Sequence, residues 1–526
     1  MSTFSLTGVQ EVRPEYGPVA RNKGFSGDGA VQVSQQTTMA ASISTPLLTF
    51  EGLSNLDNFD LFGDRFNPPD PNGDVGPNHY VEMVNLAFAV YDKQGNMLSG
   101  PTELGALWAG FAIPDCADSS GDPVVVYDQF ADRWILTQFT MRGKKDPALP
   151  FYNCVAVSQS GDPTGAYFRY AFITSVPDFK TFLMPDYPKY GVWKRSYVLT
   201  SRDSAPTGEY GVSVYALERS KMITGIPNAR AVHFFLDSTS VAPNLIGDGL
   251  LPADIDGKVQ PTDTAAIPIM GIQDDGGPFG ATFDGLNIWE LRIQWQSIPQ
   301  ASLVFRTSLR VSPFDSIFPC GVVRGSQRPD ARDCLPQPGI TDGSRFLDIL
   351  SYRQRLMFRL AYRKFGTYES MVTNQSVEAR PGIAGVRWYE IRRTNGQYSL
   401  FQQGTYAPTD GVHRWMGSIA QDKLGNMALG YSVVNGTSVF PGIRYTGRMK
   451  RDAKGQMSLG EATLISGSGI QLTPNSRWGD NTSMNIDPVD DCTFWYVNEY
   501  YRIKGTSANP APWQTRIGSF KLPGCQ

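Results

Sequence analysis

The sequence has few charged residues and no long apolar segment. Asp, Glu, Lys and Arg make up 18% of its 526 residues, and the formal net charge is −3. No basic stripe is present, which argues against nucleic acid as a partner. No run of about 18 apolar residues occurs, so the sequence predicts no membrane span. A basic segment followed by an apolar one is missing at the N-terminus, so no signal peptide is visible.

The motifs of several common enzyme classes are also missing. The three histidines, His79, His233 and His413, are too few for a histidine-rich transition-metal site. No C-x-x-C pair occurs, which removes the usual zinc and thioredoxin interpretations. No G-x-S-x-G elbow, P-loop or dinucleotide fingerprint stands in a strand–turn–helix setting. Candidate sites must therefore come from the fold.

Cysteine is scarce but even in number, which favours disulfides. Pairing in chain order gives three short loops, although six cysteines allow 15 pairings and six buried thiols are the alternative. Disulfides would place the protein outside the cytosol. We therefore expect a secreted or cell-surface protein whose leader is absent from the numbered chain. The predicted pairs are Cys116–Cys154, Cys320–Cys334 and Cys492–Cys525.

Glycine, proline and aromatic residues are plentiful, as in proteins built from short strands and tight turns. The chain has 53 Gly and 37 Pro, and 12% of its residues are aromatic. A repeated unit begins with a strand that starts near an acidic residue, turns and returns, as in residues 121–137, 185–200, 355–373, 416–432 and 477–498. A second strand with period-2 alternation follows in seven places: residues 88–91, 154–157, 212–215, 286–289, 386–389, 443–445 and 516–520.

Four short strands per repeat predict an all-β fold, a seven-bladed β-propeller spanning residues 49–526. Residues 228–268 and 309–347 are interpreted as inserted loops, and the final strand is expected to complete a blade with an early segment. Residues 1–48 are interpreted as an N-terminal extension or linker, which would support self-assembly if it added a strand to a neighbour. Two β domains in tandem are the alternative fold.

The chain resembles a functionally uncharacterised family of secreted bacterial β-propeller proteins over residues 49–526. The resemblance rests on residues 67–81, the strands at Asp122 and Asp186, and residues 251–257, 413–418 and 477–480. It implies the propeller fold but no activity, and similarity to sialidase-type propellers is at the level of fold only. Residues 353–356 read Arg-Gln-Arg-Leu where relatives tend to read Ser-Asp-Arg-Leu, so a carboxylate expected there is missing.

In a propeller the starts of the inner strands converge on a central channel. Converging carboxylates either bind a hard cation or divide into acid and base for glycoside hydrolysis. The predicted catalytic residues are Asp122, Asp186 and Asp480. Arg355, Arg414 and Arg477 would hold an anionic substrate, because guanidinium groups bind carboxylates in bidentate fashion. The structural alternative is that each Asp accepts backbone N–H groups and joins neighbouring blades.

Further candidates lie beside these strands. His413 precedes an inner strand and would act as a general base, with a packing histidine as the alternative. Trp415 and Trp478 would stack on sugar rings, or else belong to the core between blades. Asp70, Asn72 and Asp74 have the spacing of half a calcium loop, so the sequence predicts a Ca²⁺ site there, with a turn held by side-chain hydrogen bonds as the alternative.

These observations give two functional hypotheses. The first is a secreted or cell-surface propeller that binds extracellular polysaccharide and cleaves it as a hydrolase or lyase. The second is a non-catalytic adhesion or surface-assembly module that binds a surface protein, in which the axial Asp residues are structural. An open polar cleft on the axis with two carboxylates would favour the enzyme.

Overall fold

A computed structural model describes most of the chain and is almost entirely β-structure. The described residues are 10–11, 27–32, 42–146, 148–175, 181–205, 210–318, 333–341, 343–349, 354–473 and 477–525. The N-terminal elements are β1 (Gln10–Glu11), β2 (Leu48–Ser54), α1 (Asn55–Phe62) and β3 (Phe66–Asn67). No helix in these ranges is long and apolar enough to cross a membrane.

Five separate antiparallel sheets have four strands each. In chain order the first three contain β4 (Asn72–Val75), β5 (His79–Val84), β6 (Ala87–Asp92) and β7 (Met97–Glu103); β8 (Val124–Asp128), β9 (Arg133–Phe139), β10 (Phe151–Ser158) and β11 (Tyr167–Thr174); and β12 (Met184–Val192), β13 (Ser196–Ser204), β14 (Tyr210–Glu218) and β15 (Ala231–Asp237). The short helix α2 (Arg219–Met222) joins β14 to β15.

An eight-stranded sheet follows, made of two antiparallel groups of four. The groups are β16 (Leu251–Asp256), β17 (Ile267–Gln273), β18 (Gly285–Gln294) and β19 (Gln300–Arg310), and, after the small β20 (Asp333–Leu335) and β21 (Leu347–Asp348) pair, β22 (Met357–Phe365), β23 (Tyr368–Arg380), β24 (Ile383–Thr394) and β25 (Gln397–Tyr406). Parallel pairing of β16 with β22, from Ala253–Leu360 to Asp256–Arg363, joins the two groups.

The last two four-stranded sheets complete the chain. One contains β26 (His413–Gln421), β27 (Met427–Val434), β28 (Gly442–Arg448) and β29 (Glu461–Ile465); the other contains β30 (Ser483–Ile486), β31 (Thr493–Tyr501) and β32 (Trp513–Lys521). The N-terminal β2 pairs antiparallel with β32 and forms the fourth strand. The expected union of the last strand with an early segment is confirmed, with β2 as the outer strand.

The first strands of successive sheets contact one another in a closed series. β4 contacts β8, β8 contacts β12, β12 contacts β16, β16 contacts β22, β22 contacts β26, β26 contacts β30, and β30 contacts β4. Their side chains therefore converge on one axis. We call the end where these strands begin (Asp122, Asp186, Asp480) the start end, and the opposite end (Asp74, Asp256, Ile486) the finish end.

The first strands, which form the centre, are more buried than the outer strands. Every residue of β12 and β26 is buried, as expected for strands covered on both faces. Outer strands such as β7 and β19 mix exposed and half-buried positions. The all-β prediction and the four-stranded sheets typical of propeller blades are thus confirmed.

The interpretation of residues 228–268 as an inserted loop is wrong. This segment contains β15 and β16, the latter a first strand of the ring. Proline, glycine and aspartate are frequent there, and Pro252 lies within β16, so turn signals hid the strand. Residues 309–347, also interpreted as an insertion, contain β20 and the first residue of β21, and 319–332 and 342 lie outside the described residues.

Part of the N-terminal extension lies against the sheets of the same chain. Asp28 is buried, where its carboxylate accepts hydrogen bonds from Arg387 (3.1 Å) and Thr405 (2.8 Å). Val31 forms a parallel bridge with Thr405 at the end of β25. These contacts tie residues 27–32 to the outer strand β25.

Two of the three predicted disulfides are present. Cys116 is bonded to Cys154 on β10, and Cys492 is bonded to Cys525. Both links join segments that are neighbours in chain order, which confirms the local pairing. Cys320 lies outside the described residues, so the pair Cys320–Cys334 stays a prediction.

Candidate functional site

At the start end, predicted residues meet in a chain of buried ion pairs. Asp186 is paired with Arg202 at 2.5 Å, Arg202 with Asp248 at 3.0 Å, and Asp248 with Arg355 at 2.5 Å. None of these side chains is more than 3% exposed. Two of the predicted residues, Asp186 and Arg355, are therefore brought together through partners that the sequence did not indicate.

Asp480 and Arg477 form a second part of the start end. Their carboxylate and guanidinium are 3.4 Å apart, and Arg477 also lies 3.5 Å from Asp348. The backbone N–H of Asp480 donates to the carboxylate of Asp70 at 2.6 Å. These contacts join the last sheet to the loop that precedes β4.

Tyr187 lies among these charges and follows the predicted Asp186. Its N–H donates to Asp122 at 3.2 Å. Burial raises the pKa of the Tyr187 phenol; of the nearby charges, Arg355 lowers it, while Asp480 and Asp248 raise it. The Arg355 guanidinium is 4.5 Å from the ring centroid. The backbone of Tyr187 has φ of 53°, a left-handed conformation that is strained for a tyrosine.

Other predicted residues point elsewhere. His413 accepts a 3.3 Å hydrogen bond from Ala384 N–H, and burial, with Arg414 nearby, lowers its pKa to about 4. Arg414 is paired with Asp410 at 2.7 Å and with Glu461 at 2.8 Å. Such a weakly basic His413 and such a fully paired Arg414 belong to the packing of their sheet.

Trp415 and Trp478 are also buried. Both side chains are 0% exposed, and their ring centroids are 5.0 Å apart. Trp478 donates its indole N–H to Ser432 at 3.2 Å. Neither ring presents a face for stacking on a sugar; they fill the core between two sheets.

The three residues of the predicted calcium site hold separate partners. Asn72 donates to Pro123 carbonyl at 2.6 Å and accepts from Val125 N–H at 2.9 Å. Asp74 accepts from Tyr127 N–H at 2.7 Å. Asn72 and Asp74 are two residues apart on β4, so both face β8 and join the two strands. Asp70 lies before β4 and instead binds Asn85 and Asp480.

A different acidic group has oxygens close enough to hold a metal. One carboxylate oxygen each of Asp274, Asp275 and Asp284 lies within 4.8 Å of the others. Asp284 also accepts backbone N–H groups of Asp275 and Phe314, both at 2.7 Å. This group was not predicted from the sequence, although Asp274 and Asp275 directly follow β17.

The finish end contains a small polar cleft on the axis, with a volume of about 20 Å³. It collects residues from five of the seven first strands, β4, β8, β16, β22 and β30, or from the turns that follow them. Its carboxylates are all at most 8% exposed. The lining residues are Asp74, Val75, Tyr127, Gln129, Asp254, Ile255, Asp256, Gly257, Arg359, Ile486, Pro488 and Asp491.

Arg359 organises the carboxylates of the cleft. It donates to Asp254 at 2.8 Å and makes a two-point contact with Asp256 at 2.6 and 3.1 Å. Arg363 makes the equivalent contact with Asp491 at 2.7 and 2.8 Å. Such bidentate pairs fix the orientation of each carboxylate.

Asp74 has a raised pKa. Burial raises the pKa of its carboxyl to about 7; Arg359 opposes this and Asp254 adds to it. Burial also raises the pKa of Asp254, against the effect of Arg359. Near pH 7 the Asp74 carboxyl is therefore partly protonated, and it lies in the same cleft as Asp254 and Asp256, which Arg359 binds.

Only part of the cleft was predicted from the sequence. Asp74 was predicted, as a metal ligand, whereas Asp254 and Arg359 were not. Arg359 lies inside the buried strand β22, and 103 residues separate it from Asp256. A buried arginine in an apolar strand is the one signal that would have indicated it, because buried charge requires a partner.

Comparisons with known proteins give only distant similarity. No protein-family model matches the chain, and no curated protein matches it. Among solved structures, an α-L-arabinanase of Penicillium chrysogenum matches at TM-score 0.31 and 9% identity, over 65% of this chain and 94% of that one. An α-L-arabinofuranosidase of Fusarium graminearum matches at TM-score 0.37 and 11% identity, over 75% of this chain and 91% of that one. A sialidase mutant of Trypanosoma rangeli matches at TM-score 0.32 and 8% identity, over 86% of this chain and 59% of that one.

Proposed function

We propose that the protein is a secreted or cell-surface, seven-bladed β-propeller glycoside hydrolase that acts on extracellular polysaccharide. The blade number follows if each half of the eight-stranded sheet is counted as one blade. The closed series of first strands supports this count. Two disulfides support an oxidising compartment.

The finish-end cleft is the proposed reaction site. Asp74, which titrates near pH 7, would donate a proton to the leaving oxygen of the glycosidic bond. Asp256, fixed by Arg359, would act as the second carboxylate. The observation that carries the proposal is a carboxyl group with a raised pKa, Asp74, in the same axial cleft as the carboxyl group of Asp256, which Arg359 holds in place.

The test is a hydrolysis screen on purified polysaccharides and nitrophenyl glycosides. Asp256→Asn should lower kcat on any cleaved substrate by about 10²-fold or more, because one of two essential carboxylates is lost. Asp203→Asn is the matched control: burial also raises the pKa of Asp203 to about 7, but Asp203 bonds Ser201 within a sheet, away from the cleft. Its kcat should stay at the wild-type value.

Asp480→Asn, made in parallel, separates the two ends of the axis. Loss of turnover in this variant with normal turnover in Asp256→Asn would move the reaction to the start end and to the sequence-predicted Asp122, Asp186 and Asp480. Equal turnover in all variants would contradict an axial site of either kind.

A second candidate is a non-catalytic glycan-binding module. One observation favours it: both carboxylate oxygens of Asp74 accept backbone N–H groups, from Val75 and Tyr127. A carboxylate with these partners has a structural role, because it joins β4 to β8. Retained glycan binding with no turnover on the whole screen would support this candidate.

A further inference from the structure

A group of cations and aromatic rings lies on the surface formed by β22–β25 and the loop after β28. We call it the basic patch, and its six side chains are Phe365, Tyr368, Arg392, Phe401, Lys450 and Lys454. The Arg392 guanidinium is 4.1 Å from the centroid of the Tyr368 ring and 3.2 Å from that of Phe401. The Lys454 ammonium is 3.8 Å from the Phe401 centroid. These are cation–π contacts, so the rings hold the cations in place.

Further contacts join Lys450 to the same surface. The Phe365 ring stacks on Tyr368 with centroids 5.3 Å apart, and the Lys450 ammonium is 5.3 Å from the Phe365 centroid. Lys450 and Lys454 are exposed, whereas the three rings of the patch are half-buried. The patch therefore presents ammonium groups to solvent rather than bare ring faces.

The exposed cations have no carboxylate partner within the described ranges. Neither Lys450 nor Lys454 forms an ion pair, and the same is true of Arg451, the exposed residue that follows Lys450. All three belong to one short loop. Because this loop follows β28, while the rings come from β22–β25, the patch does not form a run of basic residues in the sequence.

Three carboxylates lie beside these cations along the chain or in the sheet. Glu390 is buried and paired with Arg392 at 2.7 Å. Glu369 is paired with Arg393. Asp452 accepts a backbone N–H at 2.7 Å and forms no ion pair. The loop thus has three exposed cations and one unpaired carboxylate.

The same loop is folded around a buried cation. Arg448 is 1% exposed, and its guanidinium donates to the carbonyls of Gln456 at 3.0 Å and Asp452 at 2.8 Å. No carboxylate of the described residues is within ion-pair distance of it. Carbonyl groups satisfy its N–H donors but leave its charge in place, so Arg448 adds to the positive potential of the patch.

We propose that the basic patch binds an anionic polysaccharide, one whose sugar units carry carboxylate or sulfate groups. Lys450, Arg451 and Lys454 would bind these groups as ion pairs. Three exposed cations in front of an unneutralised Arg448 are more than one small anion contacts, which favours a polymer.

Other polyanions fit the surroundings less well. The two disulfides favour an oxidising compartment, where acidic polysaccharides are commoner than nucleic acids. A membrane-binding face inserts exposed apolar side chains into the lipid, whereas Phe365, Tyr368 and Phe401 are half-buried and have cations against them.

The patch lies at the same end of the axis as the cleft. Phe365 is the last residue of β22, the strand that also carries Arg359 of the cleft. The test measures binding without hydrolysis, so this proposal can fail while the proposed hydrolase stands, and the reverse.

The probes are polygalacturonate for the carboxylate, dextran sulfate for the sulfate and unmodified dextran as the neutral polymer. Single-stranded DNA and phosphatidylglycerol vesicles represent the other polyanions. Binding to the full chain is measured by affinity electrophoresis and by calorimetry. At least one of the two anionic polysaccharides should bind, and dextran should not. Binding should be weaker at about 300 mM NaCl than at about 50 mM, because salt screens exposed charges.

The double variant Lys450→Gln/Lys454→Gln removes the two exposed ammonium groups of the patch. It should weaken binding of the anionic polysaccharide roughly fivefold to tenfold, the value of two exposed ion pairs, and leave Tm unchanged. Lys145→Gln/Lys504→Gln is the matched control. These two exposed lysines lie between β9 and β10 and between β31 and β32, at the start end, and their loss should leave binding at the wild-type value.

Four results would overturn the proposal. The first is that neither anionic polysaccharide binds at about 50 mM NaCl. The second is that dextran binds as tightly as they do. The third is that the patch variant and the control variant bind alike. The fourth is that DNA or the vesicles bind more tightly than both anionic polysaccharides, which would assign the patch to another kind of partner.

Discussion

Glu82 lies on β5 at the seam where the N-terminal strand closes the last sheet. Its Oε2 accepts hydrogen bonds from Leu53 N–H at 2.8 Å and from the Tyr91 hydroxyl at 3.3 Å. The side chain is fully buried. A Cβ atom on Gly52 would lie 2.4 Å from Oε2, so this position of β2 requires glycine.

Burial raises the pKa of Glu82 from 4.5 to about 7, against hydrogen bonds from Thr515 and Leu53. Because its pKa is raised in the folded state, protonated Glu82 contributes stability that is fully present below pH 4.5. This stability is lost as the pH rises through 7. At 1.36 kcal/mol per pH unit, the loss over this window is about 3 kcal/mol. Glu82→Gln has no proton to lose, so above pH 7 we expect its free energy of unfolding to exceed that of wild type by up to that amount.

Urea unfolding at a series of pH values between 4.5 and 8 measures this difference. Glu218→Gln is a control of opposite sign, because hydrogen bonds from Arg230 lower the pKa of Glu218. That substitution should destabilise the protein near neutral pH and have less effect as the pH falls. The reasoning on Glu82 is refuted if the gap between wild type and Glu82→Gln stays constant across the series.

Three further outcomes follow from other contacts. Cys492→Ser should lower the free energy of unfolding by about 2–4 kcal/mol, and reductant should then have less effect on Tm than in wild type. Arg387→Met leaves Asp28 buried without its guanidinium and should destabilise the docking of residues 27–32 by about 3–5 kcal/mol, seen as faster hydrogen exchange there than in Arg292→Met, in which the lost partner is Glu290. Hydrolysis in the finish-end cleft should decline as the pH rises through about 7, where Asp74 loses its proton; a rate that rises from pH 6 to pH 8 would contradict its role as the acid.

The strands were predictable because their signals are local. The alternation in residues 212–215 and 516–520 falls within β14 and β32, and the cysteine pairs join neighbouring segments. β16 was missed because its sequence contains proline and two aspartates. Those aspartates are tolerated in a buried strand only because Arg359 pairs with them.

The direction of side chains could not be read from spacing alone. Asp70, Asn72 and Asp74 are spaced like metal ligands, but the strand geometry of β4 turns two of them toward β8. His413 and Arg414 are adjacent, so the period of the strand sends them to opposite faces. Trp415 and Trp478 were predicted either to stack on sugar rings or to belong to the core between blades, and they pack together inside. Each outcome depends on a partner strand that lies far away in the sequence.

The pairing of β2 with β32 also sets an order of events during synthesis. Leu53 leaves the ribosome 462 residues before Thr515, whose hydroxyl bonds its carbonyl. Throughout that interval β2 is a strand edge with no partner from its own sheet, and such edges recruit other chains. A chain stalled before residue 513 would therefore carry all the other sheets and still expose this edge, a state for which a chaperone would be needed.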